Sequence, residues 1–97
     1  MKNHEGSKVI PRLVEILKDP SNKHAHYMAM YALTLFEYQA SSYSKQELKD
    51  AVVATLSVKR EDIRETERIE AIARSVAIQI IGEYPLGSGT KVVLLGR

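Results

Sequence analysis

The chain contains no cysteine. That excludes a disulfide framework, a thiolate nucleophile and any cysteine-based zinc site, and it fits a reducing cytoplasm. No run approaches the roughly 20 apolar residues that span a bilayer. The densest apolar window, 71–81, is interrupted by Arg74, Ser75 and Gln79. The opening Met1-Lys2-Asn3-His4-Glu5-Gly6 lacks the apolar stretch of a secretory signal, so a cytoplasmic location with no membrane contact is expected. A large excess of one charge is missing too. Fourteen Lys and Arg against 12 Asp and Glu leave a formal +2, small for a protein whose basic surface must neutralise phosphates. Catalytic groupings are equally absent: no Gly-x-Ser-x-Gly elbow occurs. The expectation is a non-enzymatic chain with no catalytic residues, no cofactor and no metal.

What is present is a set of helical periodicities. Ninety-seven residues, 44% hydrophobic and 27% charged, suit one globular domain whose core holds without staples. Ser7 offers an N-cap, and Val9, Ile10, Leu13, Val14, Ile16 and Leu17 recur at helical spacing. Pro11 is expected in the first turn or so, where a missing N–H matters least. Asp19-Pro20-Ser21-Asn22 ends this helix, because a residue before proline avoids the α region.

A second helix is predicted over 23–37, with Met28, Ala32 and Leu35 on one face and Tyr27, Tyr31 and Thr34 beside them. Met30, Leu33 and Phe36 fill much of the rest, so this helix should be buried on more than one side or lie against a partner. Residues 38–43 read as a polar connector. Ser44 and Glu47 match a capping box, opening a third helix over 45–57 with Leu48, Val52 and Leu56 in step and Ala51 and Thr55 alongside. A fourth spans 61–84. Its first half is charged, and its second carries a stripe of Ile69, Ile72, Ala73, Val76, Ala77, Ile80 and Ile81, ended by Gly82 or Pro85. The fold class is all-α: a flexible N-terminus over 1–6, a four-helix domain over 7–84, and a flexible C-terminal tail over 85–97. The tail joins Gly87-Ser88-Gly89-Thr90 to the apolar Val92-Val93-Leu94-Leu95.

Few side chains suggest a site. His24 and His26 stand two apart and so face different ways on a helix, which favours an exposed helix start over a metal pair. Gly87-Ser88-Gly89-Thr90-Lys91 echoes a phosphate loop but lacks the preceding strand and full spacing of a working one, and a hinge fits it better. Arg60, Arg64 and Arg68 recur every four residues as a basic stripe. With Glu61 and Glu65 three residues before Arg64 and Arg68, the stripe reads as a solvated face, as a dock for an acidic protein, or as phosphate contact. Tyr27, Tyr31, Tyr38 and Tyr43 cluster on the second helix and its exit, where tyrosine serves either core edge or interface.

Two stretches resemble a HEAT-type repeat. Ile10-Pro11-Arg12-Leu13-Val14-Glu15-Ile16-Leu17-Lys18-Asp19-Pro20 is similar to the first helix and turn of that family. The segment 23–33 follows its second-helix frame, with Ala25-His26 in place of the family's Val-Arg. Ala73-Arg74-Ser75-Val76-Ala77, closing on Ile80-Ile81-Gly82, keeps the Arg and the terminal Gly. Leu17 and Leu56 lie 39 apart but Leu33 and Ile81 lie 48 apart, so the second unit carries extra residues over 59–68. The resemblance covers 7–84, with short bacterial members nearest in character. It implies two antiparallel helical pairs stacked as a short right-handed solenoid, since such pairs stack to bury faces that neither covers alone.

The expected function is protein–protein interaction, as an adaptor or immunity-like module with a protein partner of unknown identity. Tyr27, Tyr31, Arg64, Arg68 and Arg74 are the candidate contact residues. The alternative is a nucleic-acid-binding HEAT-like protein using Arg and Lys on the second helices, against which the small net charge argues. Two repeats leave open stacking ends, so a homodimer through the fourth-helix face, the tail or both is also expected.

Overall fold

A computed structural model describes residues 2–83, with side chains from Lys8 onward. The tail from residue 85, including its Gly-rich segment and its apolar run, lies outside the described residues. Among those described, every regular element is helical and none is a strand. The helices are α1 (Lys2–Lys18), α2 (His26–Leu35), α3 (Glu37–Ser41), α4 (Lys45–Leu56) and α5 (Ile63–Val76). A 3₁₀ segment, Pro20–Ala25, precedes α2, and a π turn, Ala77–Ile81, extends α5.

The core follows directly from the apolar spacing. In α1, Ile10, Leu13, Val14 and Leu17 are buried, an i, i+3, i+4, i+7 set on one face. They meet Leu48, Ala51 and Val52 of α4, Ala29, Met30 and Leu33 of α2, and the stripe Ala73, Val76, Ala77, Ile80, Ile81 in one cluster. α1 packs on α4 and on α2, α2 packs in turn on α5, and α3 lies against α1 and the π turn. Most of the fourth predicted stripe is therefore buried within the chain itself, with Ile72 partly covered. Small residues make the close approaches: Ala51, Ala77 and Ala40 are fully buried.

Several boundaries differ from the sequence reading. α1 already runs from Lys2, so Ser7 sits inside it rather than at its cap. Gly6 weakens a helix by about 1 kcal/mol without forbidding it. Pro11 consequently lies in the helix interior, where it removes one backbone hydrogen bond. α2 begins three residues later than expected, because Asp19 caps the 3₁₀ segment through Oδ1, accepting from the Ser21 amide at 3.0 Å. It ends at Leu35, where Phe36 leaves helical geometry (φ −104°, ψ 42°). The supposed connector then forms α3, held in place by fully buried Ala40.

Other helix ends keep part of their expected chemistry. Ser44 Oγ accepts from the Glu47 amide at 3.2 Å, but the Glu47 carboxylate reaches Lys18 at 2.8 Å instead of closing the capping box. Gly82 ends the last helix at φ +83°, its amide bonded to the Ala77 carbonyl at 2.7 Å. α5 starts at Ile63 rather than Glu61, because Asp62 Oδ1 accepts from the Arg64 amide at 3.0 Å.

Candidate interaction surface

The second helix exposes what its composition implied would be covered. Its buried residues are His26, Ala29, Met30 and Leu33. Met28 is 61% exposed, Tyr31 42% and Leu35 65%, an i, i+3, i+7 stripe open to solvent. Of the predicted Met28, Ala32 and Leu35 face only Ala32 packs against the core. No Asp, Glu, Lys or Arg occurs in α2. A helix with no charged face either lies between neighbours or offers one face for binding. α2 is wedged against α1 and α5, and its outer stripe is bare. At the C-terminal end of the stripe lies an open groove of about 460 Å³, lined by Thr34, Leu35, Glu37, Tyr38, Gln39 and Ser41. Tyr38 is 83% exposed at its edge.

The other end of the stripe is aromatic and cationic. Tyr27 and Tyr31 stand one turn apart with near-parallel rings, centroids 6.5 Å apart. The Arg68 guanidinium, from α5, lies 5.9 Å from the Tyr27 ring centre, within cation–π range. Arg64 is one turn before Arg68, exposed on the same side of α5. Neither arginine pairs with a carboxylate among the described residues, where the ion pairs are Lys18–Glu47, Lys49–Glu83 and Arg60–Glu65. The expected Glu61–Arg64 and Glu65–Arg68 pairs do not form. Glu65 turns instead toward Arg60 at 3.8 Å. Of the five candidate residues, Tyr27, Tyr31, Arg64 and Arg68 thus share one neighbourhood. Arg74 does not: six residues beyond Arg68 it stands about 240° round the helix, exposed in the last turn of α5, where a cation suits the helix dipole.

Two residues counted as exposed are interior. His26 is fully buried, because the 3₁₀ segment turns the start of α2 inward, while His24 remains exposed. Arg60 precedes α5, so it is not part of the stripe, and its side chain is only 2% exposed. Arg60 donates to the Lys23 carbonyl at 3.1 Å and the Thr55 carbonyl at 2.9 Å, and Nη2 lies 3.1 Å from His26 Nδ1. A guanidinium only donates, so Nδ1 accepts and the imidazole proton sits on Nε2. That nitrogen is 3.0 Å from both the Ile16 and Asp19 carbonyls.

Burial above all pulls the His26 pKa below its ordinary value, and the adjacent Arg60 charge acts the same way. Burial also lowers Arg60, against the pull of Glu65. With His26 Nε2 on the Ile16 and Asp19 carbonyls, the His26–Arg60 node reads as a cap on the end of α1. Thr55 completes it, its hydroxyl 3.2 Å from the Leu17 carbonyl.

No helix among the described residues is long and apolar enough to cross a membrane. Comparison with known protein families, with characterised proteins and with solved structures returns no match.

Proposed function

We propose that this chain is a non-enzymatic protein-interaction module that binds through the outer face of α2 and the adjoining edge of α5. One observation carries the reading: Met28, Tyr31 and Leu35 stand exposed in a row beside Arg64 and Arg68, which have no carboxylate partner among the described residues. Exposed apolar side chains in line, flanked by tyrosine and arginine, are the composition of a protein-binding patch. We further read α1 with α2 and α4 with α5 as two HEAT-like pairs. Support comes from the packing of first helix on first helix and second on second, which leaves the second helices to form the binding face. An adaptor or immunity-like role in the cytoplasm follows from this reading.

The test compares proteins captured from the source cell by the unaltered chain and by a Met28→Ser, Tyr31→Ser double variant. Proteins held by the first and lost by the second support the reading. Identical captured sets would overturn it. A second reading, single-stranded nucleic acid stacked on the Tyr27–Tyr31 pair, is favoured by the arginines beside those rings. A steep fall in oligonucleotide affinity with salt would mark it.

A further inference from the structure

We propose that the occupant of the α2 face is a second copy of this chain, the two α2 helices lying antiparallel about a two-fold axis close to Tyr31. The inference rests on the binding face proposed above and names its partner. Its basis is that the face is complementary to its own reverse. The apolar stripe runs Met28, Tyr31, Leu35, with Tyr31 at its middle. Reversal about Tyr31 sets Met28 against the partner's Leu35 and Leu35 against the partner's Met28, apolar on apolar at both ends.

The charges reverse in the same sense. Cations stand at the N-terminal end of the stripe, where Arg68 lies over Tyr27 and Arg64 is one turn away. An anion stands at the C-terminal end, where exposed Glu37 lines the groove beside Leu35. Antiparallel pairing carries the partner's Glu37 to the Arg64–Arg68 end, and the same contact recurs across the axis. Parallel pairing would set arginine against arginine and Glu37 against its own copy, so the charges select the antiparallel sense. The groove of about 460 Å³ at Leu35 and Tyr38 gives the partner's Met28 and Tyr27 a place to enter. Tyr27 and Tyr31 are held against each other, which limits the side-chain freedom lost on association. A nucleic-acid strand would leave Met28 and Leu35 in water and meet Glu37 with like charge.

Sedimentation velocity on the full chain at micromolar concentration, with circular dichroism of each variant, tests the proposal. A dimer is expected, and Tyr31→Asp should convert it to a monomer of unchanged helicity. Arg68→Glu and Glu37→Arg should each weaken the dimer about tenfold, and the two together should restore it. A clean monomer across that range overturns the proposal. So does a dimer indifferent to Tyr31→Asp, or a charge swap that rescues nothing. If the chain is monomeric and the Met28→Ser, Tyr31→Ser variant still loses captured proteins, the dimer falls while the interaction reading stands. If that variant loses nothing, both fall.

Discussion

Arg60 and His26, 34 residues apart in sequence, meet at 3.1 Å with the guanidinium donating and the imidazole accepting. Neither residue belongs to the exposed α2 stripe. Their side chains lie within hydrogen-bond distance of the carbonyls of Ile16, Asp19, Lys23 and Thr55, and the Thr55 hydroxyl is shared between the Ala51 and Leu17 carbonyls. The carbonyls of Ile16, Asp19, Lys23 and Thr55 also accept backbone amides, from Asp19, Asn22, His26 and Val58, so the side chains add second hydrogen bonds at these helix ends. The node fastens the end of α1 to the start of α2 and the end of α4, which sets the position of α2 and hence of its exposed stripe.

Acid should loosen this node. His26 titrates near 6.5 in the unfolded chain and lower in the folded one. As pH drops below 6.5 the unfolded state takes up the proton first, so stability is full above that value and declines toward the folded pKa. Denaturant midpoints measured at about pH 7.5 and about pH 5 should show the loss. His26→Gln should be less stable at the higher pH and show a flatter profile between the two. Equal pH slopes in both proteins would separate His26 from the effect.

Arg60→Ala should destabilise the fold by about 1–3 kcal/mol, since it leaves buried His26 Nδ1 without a donor and removes a second hydrogen bond from the Lys23 and Thr55 carbonyls. Arg60→Lys should rescue little, because one ammonium cannot reproduce a planar fork that reaches Lys23, Thr55 and His26 together. Urea unfolding of the two variants checks both statements.

Ala77 is fully buried where α5 passes into the π turn. Ala77→Leu should overfill this contact and cost about 1–3 kcal/mol in thermal or chemical unfolding. An unchanged midpoint would place this part of the stripe in a looser environment than its burial indicates.

Gly82→Ala offers a contrast of mechanism. An added Cβ meets no atom within 4 Å, yet φ is +83°. The expected loss, about 1 kcal/mol, arises from backbone conformation alone. Gly82→Asn should lose less than Gly82→Ala, because asparagine tolerates the left-handed region.

Met28→Ser and Leu35→Ser should leave the monomer fold intact within about 0.5 kcal/mol, as expected for surface substitutions, while abolishing association. A large fall in the melting midpoint of the monomer would mean that the stripe serves the core.

The all-α character, the terminators at Asp19-Pro20, Ser44 and Gly82, and the core stripes of α1, α4 and α5 were legible in the sequence, because apolar spacing at helical period and the backbone needs of proline and glycine act locally. Which face of α2 is buried was not legible. A helix without charge has no polar side to orient it, and packing against α1 and α5 chose His26, Ala29, Met30 and Leu33 over the face carrying Met28 and Leu35. Nor could spacing distinguish Arg60 from Arg64 and Arg68. The three recur every four residues, yet Asp62 starts α5 after Arg60, leaving that arginine free to turn inward to carbonyls brought near only by the packing of α1, α2 and α4. Local chemistry determined the helices and their ends. Tertiary contact decided which polar groups are buried and which apolar ones are left exposed, because both depend on neighbours distant in sequence.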